Sequence, residues 1–257
     1  MAGTVRTPHP SGISNSRVDK AGGLLREWWT DFSIEMDSRY GDASEVLYDF
    51  RAGCTNPLKK VTVGLRQFAV REAVAVVTEG GRQVMPAVGQ RLKRTPQILN
   101  KLARFPTMRL SQMDDVGGCR AVMTTQAEVD GILRRMRKNK WEIVRIDDYV
   151  AEPKATGYRA KHVIVRRDGC LIEVQLRTES QHEWAEAVDR TALRVDDKTA
   201  SFHGLKDGHG PPELVEYFRL AADAMALEEQ GEAVDDEFER RILELQQQVR
   251  PYLRRKE

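Results

Sequence analysis

Apolar residues recur along this chain with two different periods, and the switch between them organises it. Near the N-terminus Val18, Ala21, Leu25, Trp28, Trp29 and Phe32 follow three- and four-residue steps. That spacing predicts an amphipathic helix opening at Ser16, with Asp19 as its capping-box partner and the aromatic stripe packed into a core. A second short helix is expected over Ala43 to Arg51, broken by Gly53 to Pro57, and a third over Leu58 to Val77. From Gly80 the character changes. Val84 to Lys93 reads as a strand, and Thr95-Pro96 opens a helix with proline at its first position. Ile98, Leu99 and Leu102 form its apolar face, Lys101 and Arg104 lie elsewhere on it, and Phe105-Pro106 ends it.

Cys119 to Thr124, Trp141 to Ile146, Lys161 to Arg167 and Leu171 to Gln175 read as further strands, the last two joined by the turn dipeptide Asp168-Gly169. Thr125 with Glu128 caps a helix whose Val129, Ile132, Leu133 and Met136 hold the i, i+3, i+4 and i+7 positions. Ser180 to Asp189 returns to helix. A polar stretch with several glycines and a double proline then leads to two more helices. In the second, the stripe Phe238, Ile242, Leu245 and Val249 could close on a partner subunit or another protein, or fold back on Leu24, Trp28 and Phe32, the arrangement we favour. The division expected is a loose arm (1–15), an N-terminal helical region (16–80), a mixed core (81–194), a linker (195–212) and C-terminal helices (213–257).

Composition narrows the picture. Lys and Arg number 41 against 39 Asp and Glu, a net charge of +2, which excludes a polycationic tail but leaves room for a local basic patch. Hydrophobic residues at 40% and charged residues at 31% suit an ordinary folded domain. The longest apolar run, Ala73 to Val77, is too short to span a bilayer, and the N-terminus lacks a signal-peptide core, so no membrane partner and a cytoplasmic location are expected. Cys54, Cys119 and Cys170 are far apart with no CxxC pair, and read as free thiols rather than a disulfide frame or a zinc site.

Chemistry concentrates in three places. Asp114 and Asp115 precede the Gly117-Gly118 step into the strand carrying Arg120. Alternation puts Glu173, Gln175 and Arg177 on one face of their strand, either an exposed edge or the floor of a site. One Asp and one Glu on adjacent strands could hold Mg²⁺, with substrate phosphates completing its shell. Arg91 and Lys93, followed by Lys101 and Arg104, suit a polyphosphate, although a solvated basic face is the plainer reading. The segment Asp148 to His162 forms a loop that delivers Tyr158 to a strand start. Such a Tyr could stack on a base, but a packing role is commoner.

The motifs R-x-K-x-x-x-x-I-x-x-K (Arg91 to Lys101), D-V-G-G-C-R (Asp115 to Arg120), D-Y-x-x-x-P-K-x-x-G-Y-x-x-x-H (Asp148 to His162) and E-V-Q-L-R-T (Glu173 to Thr178) occur in this order. Together they resemble the synthetase domain of the RelA/SpoT family over about residues 84–194. Stretches around Arg91 to Leu102, Ser111 to Val122 and His182 to Val188 look most like its toxic small alarmone synthetases. The resemblance implies an α+β fold, a mixed sheet flanked by helices and related to nucleotidyltransferases. It implies transfer of the β,γ-pyrophosphate of ATP to a ribose 3′-OH, with Mg²⁺ as cofactor.

By that resemblance Arg91 and Arg120 would sandwich adenine, while Lys93, Lys101 and Arg104 hold the triphosphate. Asp115 and Glu173 would bind Mg²⁺, Glu173 also orienting or deprotonating the 3′-OH. Gln175 would support the acceptor ribose, Tyr158 would stack on its base, and Lys154 and His162 would meet its phosphates. Departures from the family pattern at Gln97, Thr156, Ala160, Lys161 and the stretch after Trp184-Ala185 fall mostly on the acceptor side. Two acceptors follow: the 3′-CCA end of tRNA, giving a translation-inhibiting toxin with a cognate antitoxin, or GDP/GTP or an adenosine nucleotide, giving (p)ppGpp or (p)ppApp. A non-catalytic nucleotide- or RNA-binding module is the remaining alternative. Arg134, Arg135, Lys138 and Lys161 are the candidate RNA contacts, and tRNA is the acceptor we favour.

Overall fold

The computed structural model describes residues 8–31, 33–35, 37–74, 85–195 and 204–253. Phe32, Val84, the 75–77 end of the third expected helix and residues 196–203 of the linker lie outside them. The described elements run α1 (Asn15–Thr30), α2 (Ser38–Gly53), α3 (Thr55–Glu72), β1 (Ala87–Leu92), α4 (Thr95–Arg104), β2 (Gly117–Met123), α5 (Gln126–Lys138), β3 (Glu142–Asp148), β4 (Lys161–Arg167), β5 (Cys170–Thr178), α6 (Glu179–Ala192), α7 (Pro212–Gln230) and α8 (Asp236–Leu253). The strands make one five-stranded mixed sheet in the order β1-β2-β5-β4-β3, flanked by helices, an α+β fold. Asp168 and Gly169 both take positive φ, 47° and 81°, which is the backbone a two-residue β4–β5 hairpin turn requires.

The chain divides into two compact units that interleave along it. The first comprises Met1–Ala121, Asp130–Ile146 and Val163–Gln175. In it the cap of α1 falls two residues earlier than its capping pattern predicts, because Ser14, not Ser16, accepts the Arg17 N–H. Asp19 is used elsewhere: its carboxylate accepts the Ser111 N–H at 2.9 Å and so ties α1 to the turn before β2. Val18, Ala21 and Leu25 are buried, whereas Trp28 and Trp29 are only partly so. Trp29 is partly exposed because its indole N–H must reach Asn100 Oδ1 on α4, 2.7 Å away. Ile98, Leu99 and Leu102 of α4 and Ile132, Leu133 and Met136 of α5 are buried, as their spacing predicts.

The second unit comprises Val122–Val129, Asp147–His162 and Leu176–Glu257. Its core gathers Tyr158, Ala160, Trp184, Val188, Leu214, Phe218 and Val249. The Trp184 indole donates to the Phe218 carbonyl at 2.7 Å, locking α6 to α7. Thr178 and Gln181 form a reciprocal capping box that starts α6. The α8 stripe is narrower than expected: Leu245 and Val249 are buried and Val249 joins this core, while Phe238 and Ile242 are partly exposed. Among the described residues no helix is long and apolar enough to cross a membrane.

Candidate active site

The first unit assembles a carboxylate–lysine cluster around Asp115. Arg51 Nε donates to the Lys93 carbonyl at 2.7 Å, and the Lys93 N–H donates to the Val116 carbonyl at 2.8 Å. The end of β1 is thereby pinned to the entry of β2, and Lys93 meets Asp115. Lys93 Nζ lies 2.8 Å from Asp115 Oδ2 and Lys101 Nζ, reaching from α4, lies 2.9 Å from Oδ1. Burial pushes the Asp115 carboxyl up, but Lys101 and Lys93 outweigh it and hold it below the ordinary carboxylate value. The shielded Oδ1 thus has the Lys101 ammonium as its ion-pair partner.

Asp114 belongs to the same network. Lys101 Nζ is 3.6 Å from Asp114 Oδ1, and Arg145 on β3 donates to Oδ2 at 2.7 Å. Motif reasoning missed Arg145, since nothing local marks an Arg on β3 as the partner of an Asp so far upstream. Asp115 meets both lysines, whereas Asp114 meets Lys101 and Arg145.

Next to this cluster β5 presents Glu173 and Gln175 on the face opposite the buried Ile172 and Val174. Gln175 Nε2 donates to Glu173 Oε2 at 2.7 Å. A Cβ at Gly118 would lie 3.7 Å from the Glu173 carbonyl and 3.9 Å from Oε2, so Gly118 on β2 faces Glu173 directly. Arg120, two residues on, shares the face of Gly118. Arg91 is exposed on β1, and Arg104 is exposed at the end of α4 with its guanidinium 4.8 Å from the Phe105 ring centre. Cys119 alternates to the other side and is buried, which pushes its thiol up to about 12 and marks it as packing.

Asp115 and Glu173 would offer a hard divalent cation carboxylate oxygens: Asp115 Oδ1 is shielded from solvent, and Gly118 puts no side chain beside Glu173 Oε2. Oxygen-only donors of this kind suit Mg²⁺ rather than a thiophilic metal.

The expected acceptor residues Lys154, Tyr158 and His162 all lie in the second unit. Tyr158 is only 5% exposed. Its hydroxyl accepts a 2.6 Å hydrogen bond from the Arg177 guanidinium and lies 2.6 Å from His162 Nε2. Arg177 and Lys154 both lie over its ring, 5.2 and 5.4 Å from the centroid, and Lys154 also pairs with Asp207 at 3.7 Å. Arg177 is therefore a buried support for Tyr158 rather than an exposed partner of Glu173 and Gln175, a placement that alternation along β5 alone did not reveal.

The expected RNA contacts separate. Arg134 and Lys138 are exposed on α5, together with Arg137 and Lys140. Arg135 instead pairs with Glu72 of α3. Lys161 is corrected outright: it is buried and bound to Asp148, whose other oxygen accepts the Val150 and Ala151 N–H groups at 3.1 Å. Burial raises the Asp148 carboxyl, but Lys161 and these donors bring it below its usual value. Lys161 holds the loop and presents no charge to a partner.

Residues 90–193 match the family described as "Region found in RelA / SpoT proteins". The chain is 27% identical over 109 residues to GTP pyrophosphokinase YwaC of Bacillus subtilis, covering 37% of this chain and 52% of that protein. It is 38% identical over 77 residues to a guanosine-3′,5′-bis(diphosphate) 3′-pyrophosphohydrolase of Borreliella burgdorferi, 28% of this chain and 11% of that one. The chain thus spans about half the length, or far less, of these curated relatives. The fold resembles that of small alarmone synthetase 1 from Bacillus subtilis, solved bound to its product pppGpp. The TM-score is 0.55 at 20% identity, covering 73% of this chain and 94% of that one.

Proposed function

We propose, from the match of residues 90–193 to a region found in RelA/SpoT proteins, that this chain is an ATP-dependent pyrophosphokinase. The acceptor's 3′ oxygen would attack the β-phosphorus of ATP, the bond from that phosphorus to the α–β bridging oxygen would break, and AMP would leave. The observation that carries the reading is Asp115 held between Lys93 and Lys101. A carboxylate whose charge is balanced by two lysines can exchange them for a metal ion, freeing both ammonium groups for the triphosphate. Asp115 and Glu173 would hold Mg²⁺, which would neutralise phosphate charge. Glu173, fixed by Gln175, would accept the 3′-OH proton, Arg104 would add a third cation to the triphosphate, and Arg91 and Arg120 would flank the adenine.

We propose the 3′ end of tRNA as acceptor, with translation inhibition as the outcome. The exposed Arg134, Arg137, Lys138 and Lys140 at one end of α5 support this, since a local cluster of cations suffices for RNA phosphates. Thr156, buried and bonded to the Lys206 carbonyl at 3.0 Å, and Ala160, fully buried, pack the loop and favour neither acceptor. A guanosine nucleotide is the second reading, favoured by relatives named GTP pyrophosphokinase. Incubation with γ-labelled ATP, Mg²⁺ and either deacylated tRNA or GDP/GTP separates the two. Label on tRNA is the expected result, label on GDP or GTP alone overturns the tRNA reading, and no transfer to either acceptor, with no AMP formed, overturns the enzyme.

A further inference from the structure

Spacing offers no reason to join Cys54 to Cys170, or either of them to His9. The fold joins all three within the first unit. One ligand atom from each lies within 4.8 Å of the other two. His9 Nε2 is 3.5 Å from Cys54 Sγ. A thiolate sulfur and an imidazole nitrogen on one tetrahedral zinc, with bonds of about 2.3 and 2.0 Å, stand roughly 3.6 Å apart.

Each ligand comes from a different part of the chain: His9 from the segment before α1, Cys54 from the α2–α3 junction and Cys170 from the first residue of β5. The imidazole is held in place. It stacks on Phe50 with centroids 4.4 Å apart and an interplanar angle of 26°. The Ser11 backbone N–H donates to its Nδ1 at 3.2 Å and Ser11 Oγ lies 2.8 Å from the same nitrogen, while Nε2 faces Cys54. Metal binding through Nε2 would place the ring proton on Nδ1, where Ser11 Oγ, 2.8 Å away, can accept it. Gly53 makes the approach possible: a Cβ there would lie 2.7 Å from His9 Cε1 and 3.0 Å from the Ser11 nitrogen. The thiols of Cys54 and Cys170 are buried, and neither belongs to the carboxylate site.

We infer that His9, Cys54 and Cys170 bind one zinc-class metal ion, completed by a water molecule. His9 and Cys54 line a cavity of about 500 Å³ whose Asp19, Arg109, Ser111 and Arg166 make it polar enough to supply that water. Two thiolates and an imidazole select Zn²⁺ over Mg²⁺, so the ion is distinct from any metal at Asp115 and Glu173. Both thiols lose their protons to solvent as two metal–sulfur bonds form, and nothing is oxidised or reduced. Cys54, Cys119 and Cys170 are free thiols, as the sequence predicts, and the inference adds a metal ion to two of them. The ion would tie the N-terminal segment to β5 three residues before Glu173.

The test is a Co²⁺ titration of the full chain, metal-stripped and kept reduced without oxygen. One equivalent should bind, with thiolate-to-cobalt charge transfer in the near ultraviolet and tetrahedral d–d bands, and one equivalent of Zn²⁺ should displace it. Cys119→Ser should leave the spectrum unchanged, and Cys54→Ser or Cys170→Ser, each leaving one thiolate, should cut the charge transfer to about half or less. His9→Ala alters no buried thiol and should weaken binding about tenfold or more with the circular dichroism unchanged. Absence of charge transfer in the wild-type chain overturns the inference. So does a charge-transfer band left unchanged by either serine change, or an unaltered affinity in His9→Ala, which decides the matter should the serine variants fail to fold.

Discussion

Lys93 Nζ sits 2.8 Å from Asp115 Oδ2, and the two side chains are only 8% and 17% exposed. The pair therefore does two jobs. It closes the end of β1 onto the entry of β2, and it holds the carboxylate proposed to bind metal in its charged form.

Asp115→Asn should consequently cost both activity and stability. Removing the charge should lower kcat about a thousandfold, the scale seen when one element of transition-state electrostatics is lost. Lys93 would also remain shielded without its counter-charge, which should cost roughly 3 kcal/mol. Single-turnover AMP release and urea midpoints measure the two losses separately. Wild-type AMP release would remove Asp115 from the site.

The same pair sets an acid dependence. Burial raises the Asp115 carboxyl, but Lys101 and Lys93 bring it below its ordinary 3.8, so the folded chain holds the proton less tightly than the unfolded one. The stabilisation is therefore present above that ordinary value and is lost as pH falls through the lower, folded one. The gap in urea midpoint between wild type and Asp115→Asn should stay constant from about pH 7 to about pH 5 and narrow in stronger acid. A gap that widens in acid would contradict the assignment.

Local signals carried the elements well where one force decided the outcome. The stripe Val129 to Met136 has its cap in Thr125 and Glu128, whose carboxylate accepts the Thr124 and Thr125 N–H groups at 2.9 and 3.0 Å. Such a helix needs no distant partner to be read. Asp19 shows the opposite case, since Ser111, far along the chain, claims the side chain that local pattern assigns to a cap. Within the candidate site Asp115, Lys93 and Lys101 were legible because motif spacing carries them. Arg145, Arg177 and the His9–Cys54 approach were not, because each pairing is made by tertiary structure alone.

Gly157 tests the acceptor-side loop. Its φ is +88°, and a Cβ would stand 2.7 Å from the Ala222 side chain and 3.1 Å from the Arg219 backbone. Gly157→Ala should destabilise the second unit by about 2 kcal/mol, through left-handed strain and contact with α7 together. A thermal melt unchanged from wild type would show that α7 does not pack there.

Tyr158 separates packing from recognition. Tyr158→Phe keeps the ring but withdraws the hydroxyl that accepts from Arg177, and should cost about 2 kcal/mol of stability. If the ring stacks on the acceptor base, KM for the acceptor should change little in this variant and rise about tenfold in Tyr158→Leu, one lost base–aromatic stack. Equal KM values in the two variants would leave Tyr158 a packing residue only.

The acceptor itself is addressed through α5. Arg134, Arg137 and Lys138 are exposed, whereas Arg135 is engaged by Glu72, so the three exposed cations can be reversed in charge without disturbing the α3–α5 ion pair. Phosphate contacts release condensed counterions, and each one lost should reduce the slope of log affinity against log salt by about 0.7 on a single strand and 0.9 on a duplex. With tRNA as acceptor, the triple Glu variant should bind tRNA far more weakly and with a flatter salt dependence. Its KM for ATP should not move, because the ATP-side residues lie elsewhere on β1, α4, β2 and β5. With a guanosine nucleotide as acceptor, the same variant should turn over at the wild-type rate. Filter binding across a salt series, run beside ATP saturation kinetics, distinguishes the two, and tRNA affinity unaltered by the triple change would sink the role given to this helix end.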